Sequence, residues 1–375
     1  MHARVLLPGE PGRTFGVEEE FHLVDPETFE LAPRTALIEE VADGAAGDHL
    51  HAEMLTSQLE AATDICTDLH QLRSALVDAR REAATVAADA GSVLLGTSTH
   101  PLAPRSDIEV LNHPRYARLV ERFGTVVHEF NLCGCHVHVS VPDLSTAVAV
   151  MSHARPYLPV LAALTASSPF HEGVDTGYES FRTAWLGLWP HGGPPPRLWS
   201  ADEYRATIDQ LTQLGIIDDP TALLWEVRPS ARFPTVEFRV GDMCPDVDDV
   251  VLHAALVRSL VRSLGARVAS GELAPDVPDS VLRAARWRAA RYGLAGQVWS
   301  PARQALVPGQ AAVNDVLVEL RQDLEEHEEF CLVEQLWSQL QSRGTSAARQ
   351  RRMFAATGSM TAVARSALQV TAGYA

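Results

Sequence analysis

The segment Phe15-Gly16-Val17-Glu18-Glu19-Glu20-Phe21-His22-Leu23-Val24 governs the reading of the whole chain. Side chains of a strand alternate between its faces, so Phe15, Val17, Phe21 and Leu23 share one face while Glu18, Glu20 and His22 share the other. Glu19 falls among the apolar set, where a charge belongs to the structure rather than to a site. Asp25-Pro26 ends the strand.

The same design recurs three times. In 57–63, Leu59 and Ala61 oppose Gln58 and Glu60. In 132–141, Cys133, Cys135, Val137, Val139 and Val141 oppose His136, His138 and Ser140. In 235–241, Val236, Phe238 and Val240 face a core while Glu237 and Arg239 face away. A polar sheet face open to plain water typically carries Thr, Lys, Ser and Gln, whereas these faces carry carboxylate, imidazole and guanidinium, the groups that bind hard divalent cations and phosphate. Paired glutamates alone are commonly a solvated face, a lone histidine commonly core, and Glu237 with Arg239 could be a plain ion pair. Recurrence on four strands is what carries the reading.

Around these strands the pattern predicts a helix over 68–90, amphipathic through Leu69, Leu72, Leu76 and Val77 and stopped by Gly91, then a short buried strand at 93–95. A helix bent at Pro156 and Pro159 leads into 167–196, an irregular stretch rich in Gly, Pro, aromatics and His. Ser200 and Glu203 form a capping box for a helix ending at Gly215. A further strand is expected at 224–228, and from Val247 onward the pattern is helical, with breaks at 271–279, 293–309 and Gly344. Strands first and helices afterwards imply an α+β fold, an antiparallel sheet with helices on one face, in a single domain over 1–375.

Composition removes several function classes. A net charge of −17 repels phosphate backbones, and the one basic run, Arg349, Arg351 and Arg352, reads as a solvated helix face, so no nucleic-acid partner is expected. The chain has no lysine, which excludes a P-loop, a pyridoxal-phosphate Schiff base and a protein kinase. No apolar stretch reads as a membrane span and the amino terminus lacks signal-peptide order, so the expectation is a cytoplasmic protein without a membrane partner. Five cysteines, an odd number, fit reduced thiols. Zinc at Cys133, Cys135, His136 and His138 is disfavoured because alternation sends the thiols and the imidazoles to opposite faces. His136-Val137-His138 has the spacing of the amidohydrolase HxH, but those enzymes place it early in a β/α barrel, a pattern absent here.

Phe15-Gly16-Val17-Glu18-Glu19-Glu20-Phe21 with Leu23-Val24-Asp25-Pro26-Glu27-Thr28 closely resembles the opening signature of the YbdK-like carboxylate–amine ligases, glutamate–cysteine ligase type 2. The resemblance continues through Ser57-Gln58-Leu59-Glu60, Cys135-His136-Val137-His138-Val139, Ser168-Pro169-Phe170 with Asp175-Thr176-Gly177-Tyr178, Trp189-Pro190 with Gly193-Pro194-Pro195-Pro196, and Arg228-Pro229-Ser230 leading to Thr235-Val236-Glu237-Phe238-Arg239. It covers nearly the whole chain.

That resemblance implies a glutamine-synthetase-like catalytic fold, an antiparallel sheet forming a funnel for ATP and for magnesium or manganese ions. By position, Glu18, Glu20, Glu60, His136 and Glu237 look like metal ligands, and Arg239 like the arginine that contacts the transferred phosphate, with Glu237 beside it. His138 and Arg228 look like further nucleotide contacts, and Tyr178, Arg182 and Arg228 like contacts to substrate carboxylate or phosphate. The implied reaction is ATP-dependent amide formation through an acyl phosphate, as in γ-glutamyl transfer to cysteine or another amine. The alternatives are a metal-dependent amide hydrolase using His136 and His138, or a non-catalytic nucleotide-binding protein of the same fold. Small-molecule carboxylate and amine substrates are the expected partners, and a homodimer is the guess for a sheet-based enzyme of this size.

Overall fold

A computed structural model describes residues 10–45, 49–102, 109–128 and 130–373. The Phe15–Val24 strand, β1, lies inside the main sheet. It pairs with β3 (Gln58–Ala62) on one side, and on the other with β5 (Gly134–Ser140) through its first half and β4 (Val93–Leu95) through its last residues. With β2 (Leu50–Ala52), β6 (Val227–Pro229) and β7 (Thr235–Asp242) the sheet has seven strands in the order β6-β7-β5-β1-β3-β2, β4 standing off that path. The pairings are antiparallel, as the α+β reading requires.

One face of the sheet is covered by α1 (Leu69–Asp89), α2 (Leu144–Ala154), α3 (Leu158–Leu164) and α5 (Val247–Ala269). Phe15, Val17, Cys135, Val137, Val139, Phe238 and Val240 from the sheet are buried with Val148, Met151, Leu161, Ala254 and Val257 from the helices. Each large apolar side chain buried this way contributes roughly 1.5–3 kcal/mol. The ends of α1 follow from single residues. Asp68 accepts the N–H groups of His70 and Gln71 at 2.9 and 2.8 Å, and Gly91 after the last turn has φ of 69°.

Glu19 does lie among the helices. Its carboxylate takes Arg80 Nε at 2.9 Å and Nη2 at 2.6 Å, both side chains being buried, and Arg80 also donates to the carbonyls of Cys244 and Pro245. A planar fork on a carboxylate is the geometry in which a buried pair best offsets its desolvation.

Several expectations need correction. The run Leu144–Leu164 does have the length and hydropathy of a membrane span, with a mean hydropathy of 1.2, but 94% of it is buried inside the fold, where its apolar surface packs against α5 and the sheet. The stretch 167–196 is not irregular throughout. It holds the short helix α4 (Phe181–Leu186), capped by Ser180, and a two-stranded ribbon of Phe170–His171 with Val174–Asp175. The supposed break at 293–309 contains an antiparallel hairpin, Gln297–Ser300 with Ala305–Pro308. The expected strand at 224–228 is two pieces, because Leu224–Trp225 pairs instead with Gly192–Gly193. Of Arg349, Arg351 and Arg352, on the helix Ser346–Thr357, only Arg352 is exposed as expected. Arg349 donates to Asp249 at 2.8 Å, and Arg351 donates to Asp175 at 2.6 Å and to Tyr178 O at 3.0 Å, which clasps the 175–179 loop.

Candidate active site

The sheet face away from the helices collects the residues that alternation sends there. Antiparallel register places Glu18 opposite His136, Glu20 opposite Glu60, His138 opposite both Gly16 and Glu237, and Glu237 opposite Arg228. Five strands therefore deliver one patch of side chains. β7 carries a bulge. Phe238 pairs Val137 and Gly241 pairs Cys135, so Arg239 and Val240 together stand against His136. Arg239 faces the patch and Val240, 1% exposed, the core, as alternation from Glu237 requires; the bulge changes the face beyond them and turns Asp242 onto the patch side.

His136 is the centre. Its Nδ1 lies 3.3 Å from Glu18 Oε2 and 3.3 Å from Arg239 Nη1, and its Nε2 lies 3.5 Å from Glu20 Oε1. Nε2 is buried without a hydrogen-bond partner among the described residues. Two sets, Glu18 with His136 and Glu237, and Glu20 with Glu60 and His136, each bring their ligand atoms within 4.8 Å of one another. His138 is oriented by Thr235 Oγ1, 3.0 Å from its Nδ1, and aims Nε2 at Glu18 Oε1, 3.3 Å away. Glu237 receives Arg228 through Nε at 2.7 Å and Nη2 at 3.0 Å, and it also pairs with Arg239 Nη1.

Burial divides these groups by what surrounds them. It pushes Glu20 up to about 7, with the Glu53 charge adding and Arg182 and Arg239 opposing. It pushes Glu60 well above the usual glutamate value, reinforced by Glu18, Glu53 and Glu20. Burial would raise Glu18 and Glu237 as well, but His138 and His136 outweigh it at Glu18, and Arg228, Arg239 and His138 outweigh it at Glu237, so both end low. The His136 imidazole is driven down to about 3 by burial and the Arg239 charge, which leaves it neutral with a free ring nitrogen.

Of the residues expected from sequence, Glu18, Glu20, Glu60, His136, His138, Glu237, Arg228, Arg239 and Arg182 are brought together. Arg182 joins by donating Nη2 to the Arg239 carbonyl at 3.1 Å. Arg228 is committed within the protein, since its Nη1 also donates to the carbonyls of Thr221 and Leu223, so it holds Glu237 in place rather than offering an open fork. Tyr178 stands apart. Its hydroxyl accepts Trp287 Nε1 at 3.1 Å and its ring faces the Arg291 guanidinium. Cys133 is buried in an apolar cluster with Phe21, Leu23 and Leu59, as expected, although β5 begins only at Gly134 and the sulfur also lies 3.4 Å from Gln58 Nε2 and 3.5 Å from His22 Nδ1, residues of the other face; Cys135 is in the helix-side core.

Three residues escaped the sequence reading. Glu53, in the turn between β2 and β3, shares a hydrogen bond with Glu60 and is raised by burial against the pull of Arg239. It lies on no alternating strand, so periodicity could not mark it. Thr235 was passed over as an ordinary strand residue. Asp242 was hidden by the bulge, which no local pattern announces.

The whole arrangement lies within residues 14–366, which match the family model described as glutamate–cysteine ligase family 2. A protein of Salinispora tropica provisionally named glutamate–cysteine ligase 2 is 42% identical over 345 residues, 92% of this chain and 91% of that protein. A Saccharopolyspora erythraea protein provisionally named glutamate–cysteine ligase 2-2 is 41% identical over 370 residues, 98% and 94% of the two chains. Among solved structures, the fold resembles glutamate–cysteine ligase of Francisella tularensis in complex with AMP, with a TM-score of 0.72 at 13% identity over 96% of this chain and 88% of that one. It also resembles a bifunctional glutathione synthetase of Pasteurella multocida, with a TM-score of 0.66 at 16% identity over 96% and 52%. The chain thus belongs to glutamate–cysteine ligase family 2 and is a carboxylate–amine ligase.

Proposed function

We propose that the chain joins a carboxylate to an amine at the expense of ATP, by way of an acyl phosphate, with glutamate as the carboxylate and cysteine or another amine as the acceptor. The observation that carries this reading is the surplus of buried carboxylate around a neutral His136 whose Nε2 has no partner among the described residues. Carboxylate oxygens and one imidazole nitrogen, gathered within 4.8 Å, fit a hard divalent cation such as magnesium or manganese. Glu18, Glu20, Glu60, His136 and Glu237 would hold it, and it would supply neutralisation of phosphate charge there.

A free carboxylate is a poor acylating agent because oxide leaves badly, so activation by phosphoryl transfer must precede attack by the amine. The protein's share is position and charge. Arg239, pinned on one side by Glu237, presents the rest of its guanidinium to the transferred group, where it stabilises developing charge. Arg228 keeps Glu237 ionised and oriented. Thr235 fixes the His138 ring, and Arg182 supplies a second cation beside Glu20. No covalent enzyme nucleophile is needed, which suits a site without lysine or reactive thiol: burial pushes the Cys133 and Cys135 thiols well above their usual value.

ADP release, measured across pairs of amino acids and amines with magnesium or manganese, tests the reading. ADP should form only when ATP, cation, carboxylate and amine are all present, in step with amide. Amide cleavage without ATP would replace this reading with a metal-dependent hydrolase, and nucleotide binding without ADP release would make the chain a binding protein.

A further inference from the structure

Asp242 reaches the patch face only because the β7 bulge shifts the strand by one residue; in a regular strand it would turn towards the helices. There its carboxylate meets three donors. Oδ2 accepts the Ser167 N–H at 2.9 Å and the Ser168 hydroxyl at 2.7 Å, and Oδ1 accepts the Ser180 hydroxyl at 2.9 Å. With their protons turned to Asp242, the two hydroxyls offer lone pairs to the backbone: Ser168 Oγ accepts Arg182 N–H and Ser180 Oγ accepts Thr183 N–H, each at 3.1 Å. Those are first-turn amides of α4 that have no partner within the helix. A helix of six residues has little stability of its own, so its place depends on anchorage: these bonds, the Phe181 N–H on the Ser168 carbonyl at 3.0 Å, the Ser180 N–H on the Ala290 carbonyl at 2.9 Å, and packing against the helix Asp279–Tyr292.

α4 delivers Arg182. The side chain is buried, its Nη1 stands 3.9 Å from Asp242 Oδ1, and that Nη1 has no hydrogen-bond partner among the described residues. The guanidinium lies over Gly134. A Cβ on Gly134 would come within 2.4 Å of Arg182 Nη2 and 2.8 Å of His136 Nε2, so the space a side chain would fill is taken by the arginine. The Gly134 N–H, 2.5 Å from Glu20 Oε2, ties the same spot to the acidic cluster.

We infer that Asp242 is a positioning residue which, through Ser168 and Ser180, sets the Arg182 guanidinium over Gly134, where its free N–H meets the anionic group of a substrate. The reaction named rests on the ligase reading above, but the geometry does not. Asparagine cannot replace the carboxylate, although it has the same shape. Its oxygen must stay with the Ser167 N–H and the Ser168 hydroxyl. Its NH2 then turns to Ser180 Oγ, whose proton moves to Thr183 Oγ1 at 2.8 Å, and a donor without charge stands where a carboxylate oxygen held Arg182 Nη1 at 3.9 Å.

The test takes Asp242→Asn, Arg182→Lys, the combined variant, and Ser168→Ala with Ser180→Ala as a second route should Asp242→Asn fail to fold. Crystal structures of the wild type and the variants give the guanidinium position, and ADP-release kinetics give kcat and each KM. Asp242→Asn is expected to move the guanidinium off Gly134 and to lower kcat/KM for the carboxylate at least about tenfold, with KM for ATP changed by less than about twofold. Adding Asp242→Asn to Arg182→Lys should then cost less than about twofold more, because both act through one group. An unmoved guanidinium, or losses that multiply in the combined variant, would overturn the inference. If the wild type releases no ADP with any pair, the ligase reading fails, and the guanidinium position alone still decides this one.

Discussion

Glu19 and Glu20 are neighbours in sequence, identical in chemistry and both buried, yet the two sides of the sheet treat them in opposite ways. On the helix side Glu19 is saturated: one arginine fork covers its carboxylate, and two backbone carbonyls take what remains of Arg80. On the other side Glu20 faces Glu60, Glu53 and the unpartnered His136 Nε2, and burial with the Glu53 charge lifts it to about 7. Buried charge that is fully paired serves the fold. Buried charge left in excess on one side is held ready for something that is not protein.

The largest effect is expected at the acidic cluster. Glu60→Gln removes a proposed ligand while relieving repulsion, so turnover should fall about a thousandfold or more, with no loss of melting temperature in the cation-free protein. ADP-release rates beside thermal melts check both halves. On the helix side the balance reverses. Glu19→Gln takes the facing carboxylate away from the buried Arg80 charge, and should cost about 3–5 kcal/mol in urea unfolding while turnover per folded molecule is kept.

Smaller effects separate the faces by pH and polarity. Burial alone pushes His253, on the face of α5 towards Gly241, down to about 4, and it does the same to His100. Below pH 6.5 the unfolded chain takes up protons that the folded chain refuses until about pH 4. The stability these histidines contribute is therefore whole above pH 6.5, falls as pH drops from 6.5 towards 4 and is lost below about 4, on the order of 3 kcal/mol each. Unfolding free energies at stepped pH should show this fall, and His253→Gln should flatten part of it. Cys135→Ser, which puts a hydroxyl into the helix-side core, should cost about 1–2 kcal/mol and leave turnover unchanged; tightly bound zinc that is lost in the variant would contradict the strand-face assignment.

Much of this was legible in the sequence, because alternation is a local property. The period of two in β1, β3, β5 and β7 sorted Glu19 from Glu18 and Glu20, and put Glu60, His136 and Glu237 together before any contact was known. Asp68 and Gly91 marked the ends of α1 for equally local reasons. What stayed hidden depends on distant partners. The bulge shows only in the register of β7 against β5, and plain alternation would place Asp242 with Val240 in the core. Glu53 lies in a turn, where no period applies, and acquires meaning only when that turn folds it beside Glu60. Arg351 resembled solvent-facing charge, because nothing near it in sequence reveals Asp175 and Glu179. Cys133 follows the alternation, although the strand begins only after it.

The central claim, that one face of the sheet stores charge for a cation while the other spends it on the fold, is tested most directly by melting Glu19→Gln and Glu20→Gln with and without manganese. The account predicts that the wild type gains stability from manganese, that Glu19→Gln melts lower yet keeps the gain, and that Glu20→Gln melts no lower without the cation yet loses the gain. A Glu20→Gln protein that still responds fully to manganese, or a Glu19→Gln protein that melts like the wild type but no longer responds, would contradict it.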